Sequence, residues 1–353
     1  MVTLTNVIIC WCTHAVPSHT SPMRGSVRSR VAATASTLTL RQLSAVLPPE
    51  RAWGLWASRQ IVARIMDTFG PSLAGTRVDP VDVRMADGRR VVGEWVRGPE
   101  VTGGGLERSD PGNESAGQAI HFLHGSGFAL CSPRTHRRLT AWLSRLTRLP
   151  VFCLDYRLAP EHRFPTAAVD VRSGWDWLCT ERGLTPDRIF VAGDSAGGHL
   201  AVDLLLQPDV VHPAGMALFS PLVDLTFTLS RTREALRRDP AIRSADAARL
   251  VKLYCAGTDV THPRLTLDIA GGRTMPPTLI QAGGGEMLVG DARKLAADIT
   301  AAGGNCELQV WPDQVHVFQA LPRLTPDAVP AMRHAASFIA EALSINTIHE
   351  IAG

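Results

Sequence analysis

The sequence predicts an α/β fold, a mostly parallel central sheet with helices on both faces and a helical cap. Three observations predict it. From residue 119 onward, short apolar runs alternate with helix-patterned segments. A glycine-flanked serine stands at one strand-to-helix junction, in Gly193-Asp194-Ser195-Ala196-Gly197. The stretch from about 224 to 271 breaks the alternation with Arg-rich, helix-like sequence, where a cap insertion would sit. At 353 residues, 45% hydrophobic and 20% charged, the chain suffices for one large domain, and a formal charge of +3 argues against a nucleic-acid partner.

Residues 1–37, rich in Ser, Thr, Ala and Arg with weak periodicity, read as a disordered leader too irregular to hold an amphipathic helix. Val2 to Cys12 is apolar but has no basic residues ahead of it, so it is not read as a signal peptide. Helix patterning follows from Thr39 to Phe69, divided at Pro48-Pro49, and residues 38–79 are assigned to cap helices. Trp53, Trp56 and Phe69 are candidates for the walls of an apolar entrance. The catalytic domain is placed at 80–345. Val81 to Met85 and Val91 to Val96 flank an Asp87-Gly88 turn, and 98–117 is an exposed loop. Strands are then expected at Ala119–Leu123, Val151–Leu154, the five residues ahead of Gly193, Met216–Phe219, Thr278–Gln281 and Glu307–Trp311. Helices are expected at 135–148, Ala167–Leu178, from Ala196 on, Leu288–Ala301 and Asp327–Leu343.

Gly-Asp-Ser-Ala-Gly matches G-x-S-x-G. So tight a turn from strand to helix strains the serine, exposes its hydroxyl above the sheet edge and demands small neighbours. A hydroxyl is a weak nucleophile and needs a base that a carboxylate orients. His316, in a loop past the last strand, is the best-placed base; His199 follows the serine on its own helix and cannot swing back. The carboxylate should follow the preceding strand, where Gly283-Gly284-Gly285 lets Glu286 turn toward the imidazole. Asp291 is the competitor, with a capping or surface role expected for it. His124-Gly125-Ser126-Gly127-Phe128, leaving the first buried strand, can aim N–H groups at an oxyanion, joined by the N–H of Ala196.

Four separate motifs now carry a resemblance to the hormone-sensitive lipase family of α/β-hydrolases. His124-Gly125-Ser126-Gly127 resembles its H-G-G-G, Asp155-Tyr156-Arg157-Leu158-Ala159-Pro160-Glu161 with Phe164-Pro165 its D-Y-R-L-A-P-E-x-x-F-P, and the elbow and Glu286-Met287-Leu288 its nucleophile and acid motifs. The resemblance covers about residues 80–343. It implies an α/β-hydrolase fold and hydrolysis of short- to medium-chain acyl esters by a Ser195–His316–Glu286 triad. It further implies oxyanion donors from Gly125, Ser126 and Ala196, and a buried Arg157–Glu161 pair beneath the site. His124, Gly127, Phe128 and Asp194 are assigned to substrate binding. Ser126 departs from the family's second glycine and places a side chain on the acyl side.

No cofactor or metal is expected; the partner is a small-molecule acyl ester. An amidase or acetyl-hydrolase using the same triad is the alternative, and a non-catalytic receptor a more distant one. Cys10, Cys12, Cys131, Cys153, Cys179, Cys255 and Cys306 form no C-x-x-C pair and read as free thiols of a reduced compartment. A cytoplasmic location is therefore expected, with cell-envelope association as the variant reading. Oligomeric state, a dimer included, is left open.

Overall fold

The computed structural model describes residues 24–99, 101 and 117–352. Three helices lead: α1 (Val27–Leu38), α2 (Leu40–Val46) and α3 (Ala52–Phe69). A hairpin follows, β1 (Arg77–Arg84) and β2 (Arg90–Arg97). Then come β3 (Ala119–Leu123), α4 (Pro133–Thr147), β4 (Val151–Leu154), α5 (Thr166–Thr180), β5 (Ile189–Asp194) and α6 (Ala196–Leu206). After β6 (Gly215–Phe219) the chain leaves the sheet for α7 (Thr228–Leu236), α8 (Ser244–Cys255) and the short α9 (Pro263–Thr266). It returns through β7 (Thr278–Gly283), α10 (Val289–Ala301) and β8 (Cys306–Trp311), and closes with α11 (Ala328–Ala352).

One eight-stranded sheet runs in the order β1-β2-β4-β3-β5-β6-β7-β8. Only β2 runs against its neighbours; β3 through β8 are parallel. Strands β3, β4, β5, β6 and β7 are buried from end to end, which is why they read as unbroken apolar runs rather than alternations. One face is covered by Val171, Trp175, Leu200, Leu204, Leu295 and Ile299 of α5, α6 and α10. On the other, Leu139 and Leu143 of α4 pack with Met332, Ala335 and Ile339 of α11. Each such fully buried large side chain stabilises the fold by about 1.5–3 kcal/mol. A Ser132–Thr135 capping box and Pro133 in the first turn fix where α4 begins.

Four expectations need correction. The segment read as a leader holds a helix from Val27, and its buried face is Ser29, Ala32 and Ser36. These side chains are too small to give the sequence an apolar period. Residues 1–23 lie outside the described residues. Arg157 does not pair with Glu161: it forks onto Asp170 at 2.9 and 2.7 Å, because α5 turns Asp170 inward while Glu161 sits on an exposed turn. Asp291 is neither cap nor surface group. It is fully buried, and its carboxylate accepts the N–H groups of Val223 and Asp224 at 3.0 and 2.8 Å. Burial, opposed by those hydrogen bonds, pushes its pKa up to about 7. Trp53 and Trp56 point away from the interior, 59% and 64% exposed.

The leading helices and the 224–271 segment are tied to each other. Arg41 reaches Glu234 at 3.0 Å and the carbonyls of Asp239 and Ile242, Ser44 donates to Asp246, and Arg249 forks onto Glu50. Among the described residues, no helix is long and apolar enough to cross a membrane.

Candidate active site

β5 ends at Asp194 and α6 begins at Ala196, so Ser195 alone makes the turn, with φ 50° and ψ −118°. That left-handed backbone costs a non-glycine residue on the order of 1–3 kcal/mol and persists because the strand and helix over-determine it. Small neighbours are obligatory. A Cβ on Gly197 would lie 1.9 Å from the Leu123 carbonyl oxygen. The helix presents its first free N–H, that of Ala196, beside the serine.

Ser195 Oγ lies 3.1 Å from His316 Nε2, and His316 Nδ1 lies 2.6 Å from Glu286 Oε2. The other Glu286 oxygen accepts the Gly283 N–H at 2.8 Å, and the whole carboxylate is shielded from solvent. Burial opposes a charge on His316. The hydrogen bond and charge of Glu286, with Asp239 and Asp194 farther off, outweigh it and hold the imidazole pKa above 6.5. The three residues come from the ends of β5, β7 and β8, all at one edge of the sheet.

The loop after β3 differs from expectation at three residues. Gly125 does not offer its N–H to a substrate, because Asp194 Oδ1 accepts it at 3.0 Å. A Cβ on Gly125 would lie 2.2 Å from Asp194 Oδ2. The N–H groups of Ser126, Gly127 and Ala196 donate to no acceptor among the described residues. His124 is fully buried, stacked on Tyr156 with centroids 4.2 Å apart, its Nδ1 donating to the Gly125 carbonyl at 3.1 Å. Phe128 is likewise buried and stacks on Tyr254 at 4.2 Å. Neither touches the pocket: both support the loop from behind. Ser126, at φ 84°, turns its hydroxyl to accept from the Cys131 thiol at 2.8 Å.

Asp194 has a partner that motif reading missed. His136 of α4 is 2% exposed and approaches both Asp194 oxygens, at 3.2 and 3.3 Å. Burial opposes its charge, yet Asp194 wins and raises the imidazole to about 10. A protonated histidine and a carboxylate therefore form a buried pair that holds the Gly125 backbone. Asp239, buried after α7, is the second missed residue. Its carboxylate accepts the N–H groups of Ala241, Ile242 and Met287 at 2.7–2.9 Å, clamping the turn that carries Glu286. Sequence separation hides both contacts, His136 lying 58 positions from Asp194 and Met287 48 positions from Asp239.

A cavity of about 460 Å³ opens above Ser195 and His316. Its walls are apolar: Ala32, Ala35 and Leu43 from α1 and α2, Ile61, Ile65, Met66 and Phe69 from α3, and Leu250 from α8. Ser126, Gly127 and Asp194 stand at the reacting end. Phe69 is thus on the wall, whereas Trp53 and Trp56 are not. Among the described residues, no group of His, Cys, Asp and Glu is arranged to hold a metal ion.

A nucleophile above a sheet edge, a base, an acid and unpaired backbone donors under an apolar cavity make an arrangement suited to acyl transfer. Comparisons point the same way. A family model described as alpha/beta hydrolase fold matches residues 120–320. The carboxylesterase/phospholipase LipF of Mycobacterium tuberculosis is 29% identical over 368 aligned positions, which span 97% of this chain and 88% of that protein. The esterase LipU of the same organism is 37% identical over 64% of this chain and 78% of its own length. Among solved structures, an esterase from the bacterial hormone-sensitive lipase family superposes with a TM-score of 0.76 at 27% identity, covering 91% of this chain and all of that one.

Proposed function

The chain belongs to the hormone-sensitive lipase family of α/β-hydrolases and is a serine ester hydrolase, and from that membership we propose the residues that act and the esters they take. Ser195 is the nucleophile, His316 its base and Glu286 the acid that orients the imidazole. The observation that carries this is the unbroken chain from Ser195 Oγ through both ring nitrogens of His316 to Glu286, at 3.1 and 2.6 Å. His316 takes the hydroxyl proton as Ser195 attacks the ester carbonyl, then passes it to the departing alcohol. Water activated by the same ring hydrolyses the acyl-enzyme. The oxyanion is received by the N–H groups of Ser126, Gly127 and Ala196, each loss costing about 3 kcal/mol of transition-state stabilisation.

The substrates are esters of short- to medium-chain acids. Support comes from the cavity, whose volume of about 460 Å³ and largely aliphatic walls fit an alkyl chain. A p-nitrophenyl ester series from acetate to palmitate is the test. Turnover should peak at short to medium acyl lengths and fall away at palmitate; turnover on palmitate alone would contradict the acyl assignment.

His316 must be neutral to act as a base, so activity should be lost as pH falls through its raised pKa. The acidic limb of kcat/KM is expected above pH 6.5. Glu286→Gln removes the charge that sustains the shift and should move that limb to lower pH while cutting kcat by about 10³–10⁴-fold. An unmoved limb in this variant would remove Glu286 from the triad.

A further inference from the structure

Seven of the eleven large hydrophobic side chains exposed among the described residues fall between residues 27 and 56. On α1, Val27, Val31 and Leu38 are 67%, 62% and 72% exposed. At 100° per residue they share one face, opposite the buried Ala32 and Ser36. Val46 ends α2 and Trp53 and Trp56 follow one turn apart on α3, all on the outside. Leu43 is both partly exposed and part of the cavity wall, so the outer apolar face runs into the pocket above Ser195.

Charge is as uneven as hydrophobicity. Residues 24–70 carry seven arginines and two acidic residues, net +5, while the rest of the chain is net −2. Five of these arginines, Arg24, Arg28, Arg30, Arg51 and Arg64, make no ion pair among the described residues. Exposed aliphatic and tryptophan side chains ringed by unpaired arginines match the interface of an anionic bilayer, where indole rings settle at headgroup depth. A second copy meeting this face symmetrically would bring two such +5 surfaces together. Residues 1–23 contain no Asp or Glu to neutralise the arginines.

We propose that the outer face of α1, α2 and α3 docks this enzyme on an anionic lipid surface, with the mouth of the pocket turned toward esters held there. Docking does not depend on the catalytic assignment, so the test separates the two. Full-length Ser195→Ala protein, which leaves lipid intact, is sedimented with vesicles of phosphatidylcholine alone or mixed equally with phosphatidylglycerol. Binding to the mixed vesicles should be stronger by about tenfold or more and should fall as salt rises. Adding Trp53→Ser/Trp56→Ser should weaken it about tenfold or more, through the apolar area that no longer leaves water. Arg30→Gln/Arg51→Gln/Arg64→Gln should erase the preference for the anionic vesicles. Both sets, placed in the Ser195 background, should keep wild-type turnover of soluble p-nitrophenyl butyrate, which shows that the fold is intact. Equal binding to both vesicle types, or unchanged binding by the tryptophan variant, overturns the proposal. So does a concentration-dependent dimer that the tryptophan variant dissolves while no vesicle binding is seen; the face would then belong to a second copy.

Discussion

Ser195→Ala is expected to lower kcat on p-nitrophenyl butyrate by about 10⁵-fold or more, with KM little changed. The alanine keeps the elbow backbone and the Ala196 N–H but removes the hydroxyl that, among the described residues, stands within bonding distance of His316 Nε2 to attack a carbonyl. What survives is water attack assisted by the oxyanion donors. His316→Ala should cost nearly as much, and combining the two should cost scarcely more, because nucleophile and base act as one unit. Steady-state kinetics on the three variants checks this. A double variant whose loss equals the product of the single losses would mean that Ser195 and His316 do not work together.

The largest effect on stability is expected at the buried pair behind the oxyanion loop. His136→Leu should destabilise the protein by about 3–5 kcal/mol, because Asp194 is left as a buried charge whose remaining partner among the described residues is the Gly125 N–H. Adding Asp194→Asn should recover part of that loss, since no charge is then stranded. The pair also has a pH signature. Its folded pKa of about 10 lies above the 6.5 of an unfolded histidine, so its stabilisation is full below about pH 6.5 and fades as pH rises through 10. Urea denaturation across that range should show the gap between wild type and His136→Leu narrowing toward pH 10. A gap independent of pH would show that His136 is not the charged partner. Because the pair holds Gly125, kcat should fall along with stability.

What could be read from the sequence was local. The elbow is five consecutive residues whose sizes and spacing determine its backbone, and β3 to β7 are buried on both faces, so their apolar runs announce them directly. Glu286 and His316 were legible because each follows a recognisable strand into a short loop. The errors at polar residues concern what a side chain meets across the fold. Asp194 meets His136 from 58 positions away and takes the Gly125 N–H, which moves the available donors one residue along, to Ser126 and Gly127. Asp291 meets the backbone of Val223 and Asp224, and Arg157 meets Asp170 rather than Glu161. Helix α1 escaped detection for a different reason. Its buried face is made of serine and alanine and its large apolar residues point outward, the reverse of the pattern by which an outer helix is ordinarily recognised.

The nucleophile itself can be caught. Incubating the protein with diethyl p-nitrophenyl phosphate and mapping the modified peptide by mass spectrometry places the phosphoryl group on whichever side chain attacks. The expected result is one adduct per chain, on Ser195, formed with release of one equivalent of p-nitrophenolate and at least about a thousandfold more slowly in His316→Ala. An adduct on any other residue, or undiminished ester turnover by protein fully modified at Ser195, would contradict the assignment.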